Sequence, residues 1–145
     1  MGLVDDLLAN TGTFIGIDSV TGTEHRGAAR IVVTALPGDS GVTLDYEVLN
    51  AANPDRIRGH VEHTIVARTA GGDTVMVIGH PHANSVALMR ETTPGVFEPT
   101  EEVQAFPMKV ELSVPEPGRL LHTWWYGRPG GEAEKRDATD ARRVD

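Results

Sequence analysis

The sequence has no cysteine and few positive charges. The lack of cysteine excludes disulfides, thiolate metal centres and cysteine nucleophiles. Lysine and arginine number 13 against 21 aspartates and glutamates, which gives the 145 residues a formal net charge of -8. Because a surface this negative repels phosphate groups, we expect neither a nucleic-acid partner nor binding to an anionic membrane surface.

Several targeting and catalytic signals are also missing. No apolar run approaches the ~20 residues of a membrane span. The N-terminus lacks the basic start and apolar stretch of a signal peptide, and Asp6 stands where a myristoylation motif has Ser or Thr. The sequence contains no Gly-x-Ser-x-Gly elbow, and no glycine-rich phosphate loop leads into a helix. We therefore predict a cytoplasmic protein without a nucleotide cofactor, and a homodimer stays open.

The residues that are present favour β-structure. Valine and threonine are abundant, and 16 glycines with 9 prolines supply many turns. Residues 1–10 fit one short helix. Alternation is cleanest at 42–49, where Tyr46 shares the inward face with valine and leucine, and at 108–114. The predicted strands are 13–20, 26–36, 42–49, 57–69, 74–80, 85–92, 96–98, 108–114 and 119–127.

Short turns join these strands, and crossover helices are absent, so a parallel sheet is excluded. The predicted fold is all-β: an antiparallel up-and-down barrel of eight to ten strands with a short N-terminal helix, a sandwich being the alternative. This single domain covers residues 1–129. Residues 130–145 are charged and almost free of large apolar groups. We predict a flexible tail there, with a short exposed helix as the alternative.

Histidine is the residue type most open to a chemical role. Two groups of residues are candidates for binding a metal ion: His60-x-Glu62-His63 and His80-Pro81-His82. In a strand, His60 and His63 lie on opposite faces, so one ion cannot bind both without a bulge. The second group lacks the glutamate and distant histidine spacing of a cupin. We expect ordinary surface histidines and no bound metal.

Acid–base chemistry is the second hypothesis. In the strand 57–69, alternation groups His63 with Val61 and Ile65, which predicts that His63 points inward. An inward His63 near Tyr46 would supply a proton donor and acceptor in an apolar lumen. The alternative is a core histidine that only hydrogen-bonds Tyr46.

The aromatic run Trp124-Trp125-Tyr126 holds both tryptophans of the chain. It is either a closing strand of the core or a wall for a flat apolar ligand. The strand 119–127 is apolar on both faces, so its inward set stays open. Met89 would give the lumen an adaptable lining or simply fill the core.

A family resemblance supports the barrel. The segment 12–18, Gly-Thr-Phe-Ile-Gly-Ile-Asp, resembles the opening strand of calycins, the superfamily of lipocalins, fatty-acid-binding proteins and bacterial nitrobindin-like barrels. That family often opens with Gly-x-Trp-x-Gly, and Phe14 replaces the tryptophan here. A short helix before this strand is similar to the plug of a calycin barrel. The resemblance implies a lumen for a small apolar molecule.

The resemblance also bears on cofactors and catalysis. Nitrobindin-like proteins bind haem through a histidine in a Leu-Thr-Pro-His setting near the C-terminus. This chain has Leu120-Leu121-His122-Thr123 instead, so haem stays open but we expect no cofactor. Similar small barrels also serve natural-product biosynthesis as cyclases, which hold a flexible substrate in a reactive fold.

We therefore hold three functional hypotheses. The first is a calycin-like, lipocalin-like barrel that binds a small hydrophobic or aromatic ligand in its hydrophobic pocket. The second is a cofactor-independent cyclase or isomerase of a polyketide-like substrate, with His63 or Tyr46 as acid or base and the N-terminal helix as a lid. The third is a partner-binding module. The predicted ligand contacts are Tyr46, His63, Met89, His122, Trp124 and Trp125.

Overall fold

The structure, a computed structural model, describes residues 2–22, 24, 26–50, 60–79, 86–100 and 107–145. Helix α1 spans Leu3–Leu8, and a 3-10 turn spans Pro37–Asp39. The described strands are β1 (Gly12–Val20), β2 (Arg26–Ala35), β3 (Gly41–Asn50), β4 (His60–Arg68), β5 (Thr74–Gly79), β6 (Val86–Thr93), β7 (Val96–Pro99), β8 (Met108–Glu116), β9 (Arg119–Tyr126) and β10 (Glu134–Arg143).

The strands close into one antiparallel barrel in the order β1-β10-β9-β8-β7-β6-β5-β4-β3-β2. Consecutive strands are neighbours, and β10 closes the ring against β1, so the predicted up-and-down barrel is confirmed. Closure leaves none of the described strands with a free edge. Odd-numbered strands run from one end, here the lower end, to the upper end, and even-numbered strands return.

The prediction for the C-terminal segment was wrong. Glu134–Arg143 is neither a flexible tail nor a helix: it forms β10 and pairs with both β1 and β9. Only Thr139 and Ala141 of this strand are buried, and the charged side chains lie mostly outside. A strand with so few inward apolar groups has no recognisable hydrophobic alternation. It forms because its backbone fills the gap between two strands.

The lower end of the barrel holds the apolar core and is closed by α1. Leu3, Val4 and Leu7 are buried, and the helix contacts β2, β3, β4 and β8. Full burial of each such side chain contributes about 1.5–3 kcal/mol. The Arg68 Nη1 atom donates to Oδ1 of Asp5 at 2.8 Å, which fixes the helix to the rim. The helix therefore closes the lower end as a plug.

The two ends differ in their connections. At the lower end, residues 94–95 join β6 to β7, and residues 117–118 join β8 to β9. At the upper end, residues 51–59 join β3 to β4, and residues 100–107 join β7 to β8. Long connections on a rigid scaffold are where binding sites concentrate. A binding site is therefore expected at the upper end.

One glycine shows how closely β1 and β10 approach each other. A Cβ atom added at Gly16 would lie 1.9 Å from the backbone oxygen of Asp140. No side chain fits at that distance, so this position of β1 requires glycine. Gly16 therefore lets β10 close the barrel.

Among the described residues, none belongs to a helix with the length and apolar character that spanning a bilayer demands.

Candidate functional site

A layer of buried polar side chains crosses the barrel interior between the apolar core and the upper end. Its members face inward and are at most 4% exposed. We call them the polar layer: Asp18, Tyr46, Glu62, Thr64, His122, Trp124 and Thr139. Buried polar groups of this kind need partners, because each unpaired one costs free energy.

Glu62 is the centre of one half of the layer. Its carboxylate, 1% exposed, accepts a hydrogen bond from Nε1 of Trp124 at 3.0 Å and lies 3.1 Å from Nε2 of His122. The Thr64 hydroxyl also donates to it, at 3.4 Å. Strands β4 and β9 lie half a turn of the ring apart. These contacts therefore span the lumen and join its opposite walls.

Tyr46 is the centre of the other half. Its hydroxyl lies 2.6 Å from the Thr139 hydroxyl and donates to Oδ1 of Asp18 at 3.2 Å. The Thr139 hydroxyl donates to the same Asp18 oxygen at 2.9 Å. Burial and the negative charge of Asp18 raise the pKa of Tyr46 far above its usual value, although its hydrogen bond with Thr139 opposes this. The Tyr46 hydroxyl therefore stays protonated.

Ring stacking joins the two halves. The rings of Tyr46 and His122 lie 5.0 Å apart between centroids at an angle of 12°. The Trp124 ring is tilted relative to the His122 ring, and their centroids lie 6.1 Å apart. Stacking and the cross-lumen hydrogen bonds together fix the orientation of the His122 ring.

His122 carries the one uncompensated nitrogen of the layer. Its side chain is 3% exposed, and Nδ1 has no hydrogen-bond partner among the described residues. Burial lowers the pKa of His122, but the charge and hydrogen bond of Glu62, with Asp137 and Asp18, outweigh it and raise the pKa above 6.5. Nε2 carries the proton that faces Glu62, so Nδ1 is the atom left for another partner.

Several inward side chains near the polar layer are small or flexible. Gly27 pairs with Asp18 in the sheet, and Val48 follows Tyr46 on the inward face of β3. Ala29, Ala87 and Met108 are also inward and buried. A Cβ atom added at Gly27 would lie 2.5 Å from Cγ1 of Val48, so the Val48 side chain fills the space that this glycine leaves.

The structure brings together three of the predicted site residues: Tyr46, His122 and Trp124. The inward face of β9, which the sequence left open, is Leu120, His122 and Trp124. Met89 is fully buried but pairs with Met76 in the apolar wall of β5 and β6. Met89 therefore belongs to the hydrophobic core rather than to the polar layer.

The structure places two predicted site residues outside the barrel. The His63 side chain is 75% exposed, and its Nδ1 lies 2.5 Å from Oδ1 of Asp45 on the outer face. The prediction that His63 points inward beside Tyr46 was therefore wrong. Trp125 also faces outward, where Nζ of Lys109 lies 4.0 Å from its ring centre. It cannot contact a ligand in the lumen.

The outward position of His63 has a physical cause. Alternation in β4 offered two faces, one with Val61 and Ile65, the other with Glu62 and Val66. The more apolar face was predicted to be inside, but the register with β3 sets Glu62 opposite Tyr46. Trp124 and His122 then compensate the buried carboxylate.

Sequence reasoning missed Asp18, Glu62 and Thr139 as site residues. For Asp18 and Thr139 the only local signal was the alternation of faces along a strand. Asp18 lies on the same face of β1 as Phe14, and Thr139 lies on the same face of β10 as Ala141. Their partners come from strands distant in sequence. The structure also corrects the proposed lid, because α1 closes the opposite end of the barrel.

The predicted histidine pairs add no site to this layer. Among the described residues, no group of three or more His, Asp or Glu side chains is arranged to hold a metal ion. Glu62 and His63 point to opposite faces of β4. His80 and His82 lie outside the described residues, and so does His25.

Comparisons with known proteins find similarity in structure but none in sequence. No protein-family model matches the chain, and no curated protein matches it significantly. Among solved structures, the crystal structure of Rv2717c from M. tuberculosis is similar, with a TM-score of 0.69. The two chains are 13% identical, and the match covers 100% of this chain and 99% of that one. At that identity the likeness shows the fold alone.

Proposed function

We propose that the protein binds a small hydrophobic or aromatic molecule in the upper part of the barrel, against the polar layer. The observation that carries this proposal is the Nδ1 atom of His122, which is buried without a hydrogen-bond partner among the described residues. Such an atom costs about 1–3 kcal/mol. A bound polar group that pairs with Nδ1 would recover this free energy.

The dimensions of the barrel support the proposal. An eight-stranded barrel has an interior just wide enough for its own side chains or one small ligand, and diameter grows with strand number. This barrel has ten strands. Ala29 and Ala87 contribute small side chains to the inward faces of β2 and β6. Apolar walls with a few fixed polar groups are typical of small-molecule sites.

We also propose that the barrel belongs to the calycins. The closed up-and-down barrel, its helix at the lower end and the Gly12–Asp18 opening strand support this assignment. A lumen ligand is the function that this resemblance implies. The absence of a cofactor stays a prediction.

Binding is testable with 2-acetylnaphthalene, a flat aromatic ketone. We expect calorimetry to show saturable binding of one molecule per chain to the wild type. Ala87→Phe should weaken it by about tenfold or more, because the added ring would project into the lumen from the inward face of β6. Leu88→Phe is the matched control: Leu88 is 43% exposed on the outer face of the same strand, so binding should not change.

Tryptophan fluorescence locates the bound probe. In Trp125→Phe the remaining Trp124 should be quenched by the ketone, whereas in Trp124→Phe the outward Trp125 should respond weakly. Equal quenching of the two tryptophans, or an Ala87→Phe variant that binds as well as the wild type, would contradict binding in the lumen.

A second candidate function is acid–base catalysis as an isomerase or cyclase. The observation in its favour is the Glu62–His122 pair: the carboxylate faces one imidazole nitrogen, and the other nitrogen has no hydrogen-bond partner among the described residues. That is the arrangement a general acid or base requires. The Nδ1 atom of His122, and not His63, would then move the proton.

Catalysis is testable on the same ketone in deuterated buffer. A base at the ligand would remove a methyl proton next to the carbonyl and return a deuteron, so NMR should show loss of the methyl signal. We expect exchange with the wild type and none above background with His122→Gln. Binding without exchange in the wild type would leave a binding protein and eliminate this candidate.

A further inference from the structure

Hydrogen-bond donors converge on the carboxylate of Glu62. Nε1 of Trp124, which can only donate, lies 3.0 Å from Oε2, and the Thr64 hydroxyl donates to Oε1 at 3.4 Å. Nε2 of His122 lies 3.1 Å from the same Oε1 atom. A hydrogen must lie in this contact, because two bare acceptor atoms would repel each other. The other imidazole nitrogen, Nδ1, is therefore the atom that gains or loses a hydrogen.

The number of hydrogens on the Glu62–His122 pair decides whether Nδ1 donates or accepts. A single hydrogen lies between Oε1 and Nε2, and Nδ1 is then an acceptor. When the pair holds a second hydrogen, it is either a carboxylate beside an imidazolium or a carboxylic acid beside a neutral imidazole, and Nδ1 carries a hydrogen in both cases. This result does not depend on how the charge divides between the two residues, or on their other partners.

The titratable groups around the imidazole set the pH at which this change occurs. Burial lowers the pKa of His122, whereas Glu62 on β4, Asp137 on β10 and Asp18 on β1 raise it and prevail. Tyr46 on β3 stacks on the imidazole and stays protonated, because burial above all raises its own pKa. The inward side chains of the neighbouring strand β8 are uncharged: Met108, Val110 and Leu112.

We propose that a carbonyl compound binds in this lumen together with one proton, because its oxygen can pair with Nδ1 of His122 only when this nitrogen carries a hydrogen. This inference rests on the proposed binding function and names the chemical class of the ligand and the protonation state that binds it. A carbonyl oxygen only accepts hydrogen bonds, whereas a hydroxyl both donates and accepts. A ketone therefore pairs with one state of Nδ1, and an alcohol pairs with either.

Two naphthalenes of nearly equal shape provide the test: 2-acetylnaphthalene, a ketone, and 1-(2-naphthyl)ethanol, the corresponding alcohol. Calorimetry from about pH 6 to about pH 9.5, a range that spans a raised histidine pKa, measures both dissociation constants. We expect the dissociation constant of the ketone to rise by up to about tenfold per pH unit above the pKa of His122. That of the alcohol should change by less than about threefold over the same range.

NMR of the imidazole nitrogens measures the same linkage from the side of the proton. Because the coupling is reciprocal, saturation with the ketone should raise the pKa of His122 by about one unit or more. The alcohol should change this pKa much less. Both titrations use the wild-type protein, so they do not depend on the folding of a variant.

Matched variants separate His122 from a histidine on the outer surface. In His122→Gln, whose amide does not titrate, the dissociation constant of the ketone should no longer depend on pH. His63→Gln should keep the wild-type dependence, because His63 lies beside Asp45 on the outer face. Glu62→Gln should move the rise to lower pH, because it removes a carboxylate that raises the pKa of His122.

The outcomes distinguish this inference from the function on which it rests. If neither compound binds at any pH, the proposed binding function fails, and the inference fails with it. If only the alcohol binds, or if the two dissociation constants follow the same pH curve, the lumen binds ligands but proton-linked recognition of a carbonyl is wrong. The same conclusion follows if the ketone leaves the pKa of His122 unchanged, or if the pH dependence persists in His122→Gln.

Discussion

A chain shortened to end at Gly131 is expected to lose the cooperative unfolding transition of the full-length protein. The deletion removes β10, which pairs with β1 along Phe14–Val20 and with β9 along Arg119–Tyr126. Both neighbours would gain free edges, and the interior would open beside Thr139 and Ala141. Urea denaturation followed by circular dichroism and tryptophan fluorescence measures the transition.

Point variants in β10 test the same prediction without shortening the chain. Ala141 is fully buried, so Ala141→Asp places a charge in the apolar core and should lower the free energy of unfolding by about 3 kcal/mol or more. Lys135→Ala, at an exposed position, should change it by no more than about 0.5 kcal/mol. A shortened chain that unfolds with the midpoint and slope of the full-length protein would show that 132–145 is dispensable.

Glu62→Ala should be among the most destabilising single substitutions in the polar layer. It removes the carboxylate that accepts from Trp124 and that faces Nε2 of His122. Removing one partner of a buried ion pair leaves the other without compensation, at a cost of about 3–5 kcal/mol. Urea denaturation at pH 7 gives the free energy of unfolding for comparison with the wild type.

A glutamate on the outer surface of the barrel supplies the control for this substitution. Glu111 contacts Nζ of Lys109 at 3.6 Å, with 42% of its side chain exposed. Exposed pairs of this kind contribute about 0–1 kcal/mol, so Glu111→Ala should have little effect. If Glu62→Ala costs no more than Glu111→Ala, the cross-lumen contacts of Glu62 do not stabilise the fold.

The same pair predicts a pH dependence with a definite sign. His122 has a raised pKa in the folded protein, because Glu62, Asp137 and Asp18 outweigh the opposing effect of burial. Its contribution to stability is therefore fully present below the unfolded pKa of about 6.5. This contribution is lost as the pH rises through the pKa that His122 has in the folded protein. In Glu62→Gln the burial effect should prevail, and an NMR titration of the imidazole should show a lower pKa.

The sequence by itself determined the type and order of most elements. Strands β3 and β8 alternate apolar and polar residues, so their backbone state and their inward faces follow from local periodicity alone. Glycine and proline at 71–73, 94–95 and 117–118 mark turns for the same local reason. Of the site, Tyr46 was placed correctly because it lies in the cleanest of these patterns.

Tertiary structure decided which face points inward in strands whose inward face carries polar residues. In β1, Ile15 and Ile17 are 43% and 58% exposed, while Asp18 is buried. In β4, Ile65 is 41% exposed, while Glu62 is buried. A rule that always places the more apolar face inside assigns the wrong inward face to β4. It fails because it does not include the hydrogen bonds that compensate a buried carboxylate.

Those hydrogen bonds come from parts of the chain far apart in sequence. Glu62 meets Trp124 and His122 across the lumen, and Tyr46 and Asp18 meet Thr139 only because β10 closes the ring. The strand that was predicted to be a tail is therefore also the one that completes half of the polar layer. Local periodicity fixes which segments are strands, but ring closure and register fix which polar groups share the interior.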